Sequence, residues 1–393
     1  MRICFISHSA GDGGAERVLL ETVELLHAQG IECRVLLPSE GYFCRELNRL
    51  GVPFSVISYP LWMARGKASF LSRARAAVGL FTNTLQVAWQ IFRWKCDLVY
   101  SNSATVSVGA FAARLLGVPH VWHLHEFGFE DQGLSFLFGE SLSLALIDRL
   151  SDRCICVSRA LAAKYAKSIE PAKISVIYPS MHRALASHDL PSLEFMKPHP
   201  GRFRCVIVGA LIPGKGQEEG ILALAHLKKA GIPVELIIVG KGEAEFRRYL
   251  DEVVASNHLA DEVIFVGKVD SAFPAMRDSD AILVCSRSEA FGRVTIEGMS
   301  SGRPVIGARS AATAELIQDG FTGLLYDPGN ANDLADKIRY VREHPEAGER
   351  LAGNARAWIT EHFAPSRCTA ELLVLMQSCT DSLVVKRDLA QQS

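Results

Sequence analysis

Residues 289–304 read EAFGRVTIEGMSSGRP: two glutamates with seven residues between them, and a Gly-x-Pro close behind. Ahead of them the run Ala281-Ile-Leu-Val-Cys285 is apolar and bounded by polar residues. That pattern predicts a strand buried on both faces in a parallel sheet. Phe291-Gly292 marks a turn, and Val294 to Ser301 reads as a helix. Glu289 is then expected in the loop at the carboxyl end of a strand, where open α/β sheets bind ligands. Glu297 follows two turns further on, at ~3.6 residues per turn. The free N–H groups at the start of such a helix favour an anion. A carboxylate, a row of backbone donors and a second carboxylate can hold a sugar, its phosphates and a ribose diol in that order. Two glutamates at any one spacing are common, so spacing alone favours a solvated loop and helix, and the surroundings reverse that.

Working outward, 393 residues exceed the usual size of one core, which predicts two domains. The formal net charge of -1 argues against a nucleic-acid partner, which calls for a strongly basic domain. No uninterrupted apolar run of about 18 residues occurs, so no transmembrane helix is expected. Met1-Arg2 leads directly into a strand, Ile3–Ile6, so no signal peptide is expected and a cytoplasmic location follows. The ten cysteines are scattered, many inside apolar runs, as reduced core thiols are. Cys154 and Cys156 are too close for a C-x2-C metal pair.

The amino-terminal half opens as strand, glycine-rich loop (Gly11, Gly13, Gly14) and helix, followed by the strand Cys33–Leu37. The glycines do not form G-x-G-x-x-G, so a dinucleotide site is poorly supported. Residues 61–96 combine arginine and lysine with Trp62, Phe70, Phe81, Trp89 and Phe92. Such a segment fits a membrane interface, and it fits an amphipathic helix packed on the sheet. Asp97–Tyr100 reads as a strand before Ser101-Asn102-Ser103, and Val106–Leu116 as a helix. His123 and His125 share one side of the strand Val121–Glu126, with no third metal ligand nearby. Leu134–Leu150 reads as a helix, and Ser158 is placed to cap a helix over Arg159–Lys167. Ile174–Ser180 is the last strand of this half.

Residues 186–202 are rich in Pro, His and Ser and read as a linker. The alternation then restarts. Strand Phe203–Val208 leads into the loop ALIPGKGQ, where Lys215, between two glycines and before a helix, is placed as a point charge for a diphosphate. Strands follow at 234–240, 263–267, 281–285, 304–307 and 323–325. Helices are expected from Glu315, over Asn332–Arg342 and over Ala370–Ser378, with a loose polar tail from Asp381.

This constellation resembles the donor site of the retaining glycosyltransferases of family 4, the group 1 family. The resemblance implies the GT-B fold, an α/β architecture of two Rossmann-like domains facing a central cleft. It implies an acceptor-side domain over 1–185, a linker over 186–202 and a nucleotide-sugar donor domain over 203–369. A carboxyl-terminal helix over about 370–393 packs back on the first. By resemblance Glu289 contacts the donor sugar and Glu297 holds the ribose. Lys215 and Gly216 bind the phosphates, and the backbones of Phe291 and Gly292 hold the sugar. Gly14 lies in the first loop, under the donor phosphates, and His125 in LHEF points at the donor sugar. The family carries an arginine where this chain has Ala210, and Arg293 is the candidate to replace that charge. It also carries Asn-Gly at Pro179-Ser180 and Gly-Gly at Ala311-Ala312.

The activity implied is transfer of a sugar from a nucleotide-sugar to a saccharide or lipid-linked saccharide in cell-surface polysaccharide synthesis. No metal or cofactor is implied. Peripheral contact with the inner membrane surface suits a lipid-linked acceptor. Two alternatives stay open: a nucleotide-sugar 2-epimerase of the same architecture, and a binding protein without turnover.

Overall fold

The eleven apolar runs expected as strands are strands, and they pair in parallel, most of them buried on both faces. The computed structural model of the chain describes residues 1–66, 69–185, 190–196 and 201–391. Met1–Ser180 and the chain from Pro365 onward form one compact unit, and Met181–Ala364 form a second.

The strands of the first unit are β1 (Arg2–Ser7), β2 (Glu32–Leu37), β3 (Phe54–Val56), β4 (Met63–Arg65), β5 (Leu98–Asn102), β6 (His120–Leu124), β7 (Leu134–Phe136), β8 (Arg153–Cys156) and β9 (Ile174–Val176). Seven of them form one parallel sheet in the order β3-β2-β1-β5-β6-β8-β9, while β4 and β7 pair antiparallel beside it. Side chains of β1 alternate between two cores, as the period of two requires. Ile3 and Phe5 pack with Leu19, Val23, Leu372 and Met376, while Cys4 and Ile6 pack with Val87, Ile91 and Ala112. The final helix, Pro365–Gln391, thus completes the first unit, starting five residues earlier than the sequence suggests. It also runs through the stretch expected as a loose tail.

The second unit repeats the design with β10 (Phe203–Val208), β11 (Val234–Val239), β12 (Val263–Gly267), β13 (Ala281–Val284), β14 (Val305–Ala308) and β15 (Leu324–Tyr326). They lie in the order β12-β11-β10-β13-β14-β15, every pair parallel. The strand order reverses beside β10, so β10 and β13 diverge at a switch point of the kind that binds ligands. Arg204 and Glu235, opposite each other on β10 and β11, form a buried ion pair.

Three expectations need correction. Leu134–Leu150 is not one helix: β7 comes first and the helix spans Glu140–Leu150, because Gly139, at φ 88°, breaks the run. The helix expected from Glu315 is Ala311–Leu316, so Glu315 lies near its end. Of the linker at 186–202, residues 186–189 and 197–200 lie outside the described residues. The described part is tied to the second unit. Arg277 Nη1 donates to the Leu190 carbonyl at 2.7 Å, and Arg204 Nη1 to the Met196 carbonyl at 2.9 Å. All ten cysteines are buried and unpaired by disulfides. No helix among the described residues is long and apolar enough to cross a membrane.

Candidate active site

In the second unit the site is assembled by three loops at the carboxyl ends of β10, β13 and β14. Gly216, at φ 66°, adopts the left-handed conformation, and a Cβ there would stand 2.1 Å from the Cys285 carbonyl oxygen. Only glycine lets the loop after β10 lie against the end of β13. Hydrogen bonds to backbone carbonyls stitch the three loops together. Arg287 N donates to the Gly214 carbonyl at 2.9 Å, Ala312 N to the Glu289 carbonyl at 3.1 Å, and Ser310 Oγ to the Ser286 carbonyl at 2.9 Å.

This stitching brings Lys215 and Glu289 together across 74 positions of sequence. Lys215 Nζ donates to Glu289 Oε2 at 2.6 Å, with the side chains 25% and 19% exposed. Both groups are within reach of solvent and of a ligand. Cys285, directly behind Gly216, is fully buried, and burial pushes its thiol up to about 12, so it is no nucleophile here.

Gly292, at φ 86°, starts the helix Arg293–Ser300. The Phe291 ring is buried against Phe363, with centroids 6.1 Å apart, which leaves the backbone of Phe291-Gly292 as the part of this turn able to meet a ligand. One turn into the helix, Arg293 Nε lies 3.7 Å from Glu297 Oε1, and the arginine side chain is only 13% exposed. Arg293 is therefore not a solvent-facing arginine; its charge is held beside Glu297. Ala210, where the resemblance calls for arginine, is exposed, and its carbonyl accepts from Gln217 Nε2 at 2.8 Å.

In the first unit, Gly14 is the first residue of the helix Gly14–Ala28, with Gly13 as its cap. Asn102, at the end of β5, links that helix to His125. Asn102 Nδ2 donates to the Ala15 carbonyl at 3.1 Å, which turns its Oδ1 toward His125 Nε2 at 2.8 Å. An amide oxygen only accepts, so His125 carries its proton on Nε2. Asn102 is the positioning residue that the sequence reading passed over. Its signal was present: an amide at the carboxyl end of the apolar strand DLVYSN. His123 plays a different part. Its Nδ1 is paired with the Tyr100 hydroxyl at 2.5 Å, and burial lowers its pKa to about 3. It is a neutral core histidine beneath His125, ring centroids 4.0 Å apart. Among the described residues no three His, Cys, Asp or Glu side chains are grouped to hold a metal ion.

Comparison with known proteins covers both units. The family described as Glycosyltransferase Family 4 matches residues 12–182, and that described as Glycosyl transferases group 1 matches residues 195–358. An uncharacterized glycosyltransferase of Methanocaldococcus jannaschii is 26% identical over 72% of this chain and 76% of its own length. The lipopolysaccharide core biosynthesis glycosyltransferase LpsD of Rhizobium meliloti is 22% identical over 94% of this chain and 96% of its own. Among solved structures, Anabaena HepE in complex with UDP-glucose aligns with a TM-score of 0.76 at 23% identity, covering 96% of this chain and all (100%) of that one.

Proposed function

The chain belongs to the group 1 glycosyltransferases and has their GT-B fold, and from that premise we propose that it moves a sugar from a nucleotide-sugar donor to a saccharide or lipid-linked acceptor with retention of configuration. The observation that carries the reading is the Lys215–Glu289 pair, set 2.6 Å apart between the loops after β10 and β13, with Glu297 on the helix that follows. In the reaction the bond from the anomeric carbon to the diphosphate oxygen breaks, and its electron pair leaves with that oxygen. A bond forms from the anomeric carbon, on the face the diphosphate leaves, to an acceptor hydroxyl oxygen, whose proton passes to the departing diphosphate oxygen. Lys215 supplies the positive charge that the departing diphosphate needs, aided by the N–H groups at the start of Arg293–Ser300.

Glu289 accepts from sugar hydroxyls, Glu297 from the ribose, and the Phe291-Gly292 backbone lines the sugar. Gly216 lets the phosphates approach the backbone. The partly buried guanidinium of Arg293 steadies Glu297 and offsets part of the charge missing at Ala210. By resemblance we assign Gly14 and His125 of the first unit to donor binding, His125 as a fixed Nε2–H tautomer. The proposal includes no metal, since this chain's own cations and backbone donors are assigned the leaving-group charge. A role in polysaccharide or lipid-linked saccharide synthesis, with peripheral membrane contact, completes the reading, supported by the likeness to LpsD over nearly the whole chain.

The test is incubation with UDP-, GDP- and ADP-sugars and saccharide acceptors, with products read by NMR. The UDP-glucose bound by the Anabaena neighbour puts uridine donors first. A glycoside with the donor's anomeric configuration is expected. A free sugar epimerised at carbon 2, or an inverted glycoside, would overturn the mechanism.

A further inference from the structure

The helix Phe70–Trp94 has two apolar faces where one is expected. Its inner face packs on the first unit through Val87, Ala88 and Ile91. Along its solvent side Phe70, Val78, Phe81, Leu85, Trp89 and Phe92 stand between 49% and 83% exposed. They recur at three, four or eight positions, which aligns them in one stripe roughly 33 Å long at ~1.5 Å per residue. Among the described residues, seven of the eighteen large apolar side chains that stand exposed belong to this one helix. Scattered exposed apolar residues are ordinary, whereas a continuous stripe marks an interaction surface.

Charge identifies what covers it. From Leu47 to Cys96 the chain has no Asp or Glu and seven Lys or Arg, although the whole protein carries a net charge of -1. Arg73, Arg75 and Arg93 lie on the helix, Lys95 ends it in the left-handed conformation, and all four are exposed. Arg93 stacks its guanidinium over the Trp89 ring at 4.5 Å, so cation and aromatic form one amphipathic tip. Beside the stripe, Ile57, Leu85, Gln86, Trp89 and Gln90 line an open hollow of about 480 Å³, almost wholly apolar. An apolar stripe rich in Phe and Trp, edged by Arg and free of acids, has the composition of a helix that lies in a bilayer interface. A protein partner or a second copy would need acidic groups to answer these cations, and a second copy of this helix brings only the same positive charge.

We propose that this face of Phe70–Trp94 docks the protein flat on an anionic phospholipid bilayer. The stripe enters the headgroup–acyl boundary and the arginines meet lipid phosphates. The inference deepens the membrane-side acceptor reading given above and rests on it, but docking needs neither donor nor acceptor.

Flotation of the full chain with phosphatidylcholine vesicles, with and without phosphatidylglycerol, tests it. Binding is expected only with phosphatidylglycerol and is expected to weaken as salt rises. Arg73→Gln/Arg75→Gln/Arg93→Gln and Phe81→Ser/Trp89→Ser should each lose about tenfold or more of that binding. All five positions are exposed, so circular dichroism and donor hydrolysis should match wild type in both variants. Quenching of fluorescence by bromolipid should fall in Trp89→Phe. Absence of flotation with anionic vesicles, or equal binding by wild type and both variants, would overturn the proposal. So would sedimentation showing that Phe81→Ser/Trp89→Ser abolishes a dimer instead of lipid binding. Loss of vesicle binding with donor turnover intact would leave the transferase reading standing; the converse would spare the docking surface.

Discussion

Ala311 has φ 43°, in the left-handed region where a Cβ crowds the backbone. It sits between Ser310, bonded to the loop after β13, and Ala312, whose N–H reaches Glu289. The family carries Gly-Gly at this place, so the local strain is a property of this chain. Relief of the left-handed conformation, less the extra freedom of glycine in the unfolded chain, should make Ala311→Gly more stable by about 0.5 kcal/mol. Thermal unfolding should show a midpoint roughly 1–2 °C higher; a lower midpoint would mean that the alanine methyl packs usefully. Ala210 is the second informative departure. It is exposed, so an arginine has room there. Ala210→Arg should tighten binding of the donor's nucleoside diphosphate by about 1 kcal/mol, roughly fivefold. Unchanged affinity in titration calorimetry would place the phosphates away from this loop.

At this scale the sequence was legible where a residue's neighbours in the chain define its task. Ser158 accepts from Leu161 N at 3.1 Å as a helix cap, as expected. Lys215 and Glu289 could each be singled out, yet their 2.6 Å pairing depends on Gly216 approaching Cys285, which no local pattern reveals. Asn102 was passed over for the same reason: its partners are Ala15 and His125, far apart in the chain.

Among the elements, the long strands announced themselves because they are largely buried and most of their residues are apolar. The strands β3, β4 and β7 span three residues each and none is buried throughout, so no apolar run marks them in the chain. The exposed stripe of Phe70–Trp94 was visible as composition, while its separation from the inner face required the packed helix. Strand β6 carries a consequence for pH. His120 and His123 are buried, and burial lowers both pKa values from 6.5 to about 3. Below about pH 6.5 the unfolded chain protonates these imidazoles while the folded chain keeps them neutral. The unfolded state therefore binds more protons, and stability falls as pH drops from the unfolded toward the folded pKa. Each histidine should remove roughly 2 kcal/mol by pH 5. Urea unfolding followed at pH 7 and pH 5 checks this. A free energy of unfolding that is flat over that interval would show that neither imidazole is held neutral.

For the whole molecule, two runs of the same strand-and-helix alternation were enough to predict two parallel-sheet units. What the alternation could not say is where the chain divides. The described part of the expected linker is hydrogen-bonded to Arg277 and Arg204 and so goes with the second unit. The final helix goes with the first, through Leu372 and Met376, which bury against Leu19 and Val23. These assignments depend on long-range packing, to which a pattern read along the chain is blind. The central claim concerns the loops of the second unit, and titration calorimetry of a panel of UDP-, GDP- and ADP-sugars tests it most directly. One nucleotide class should bind, and Lys215→Ala and Glu297→Ala should each weaken it by about tenfold or more, about 1.4 kcal/mol. Failure of every donor to bind, or equal affinity in wild type and both variants, would contradict the assignment of this site.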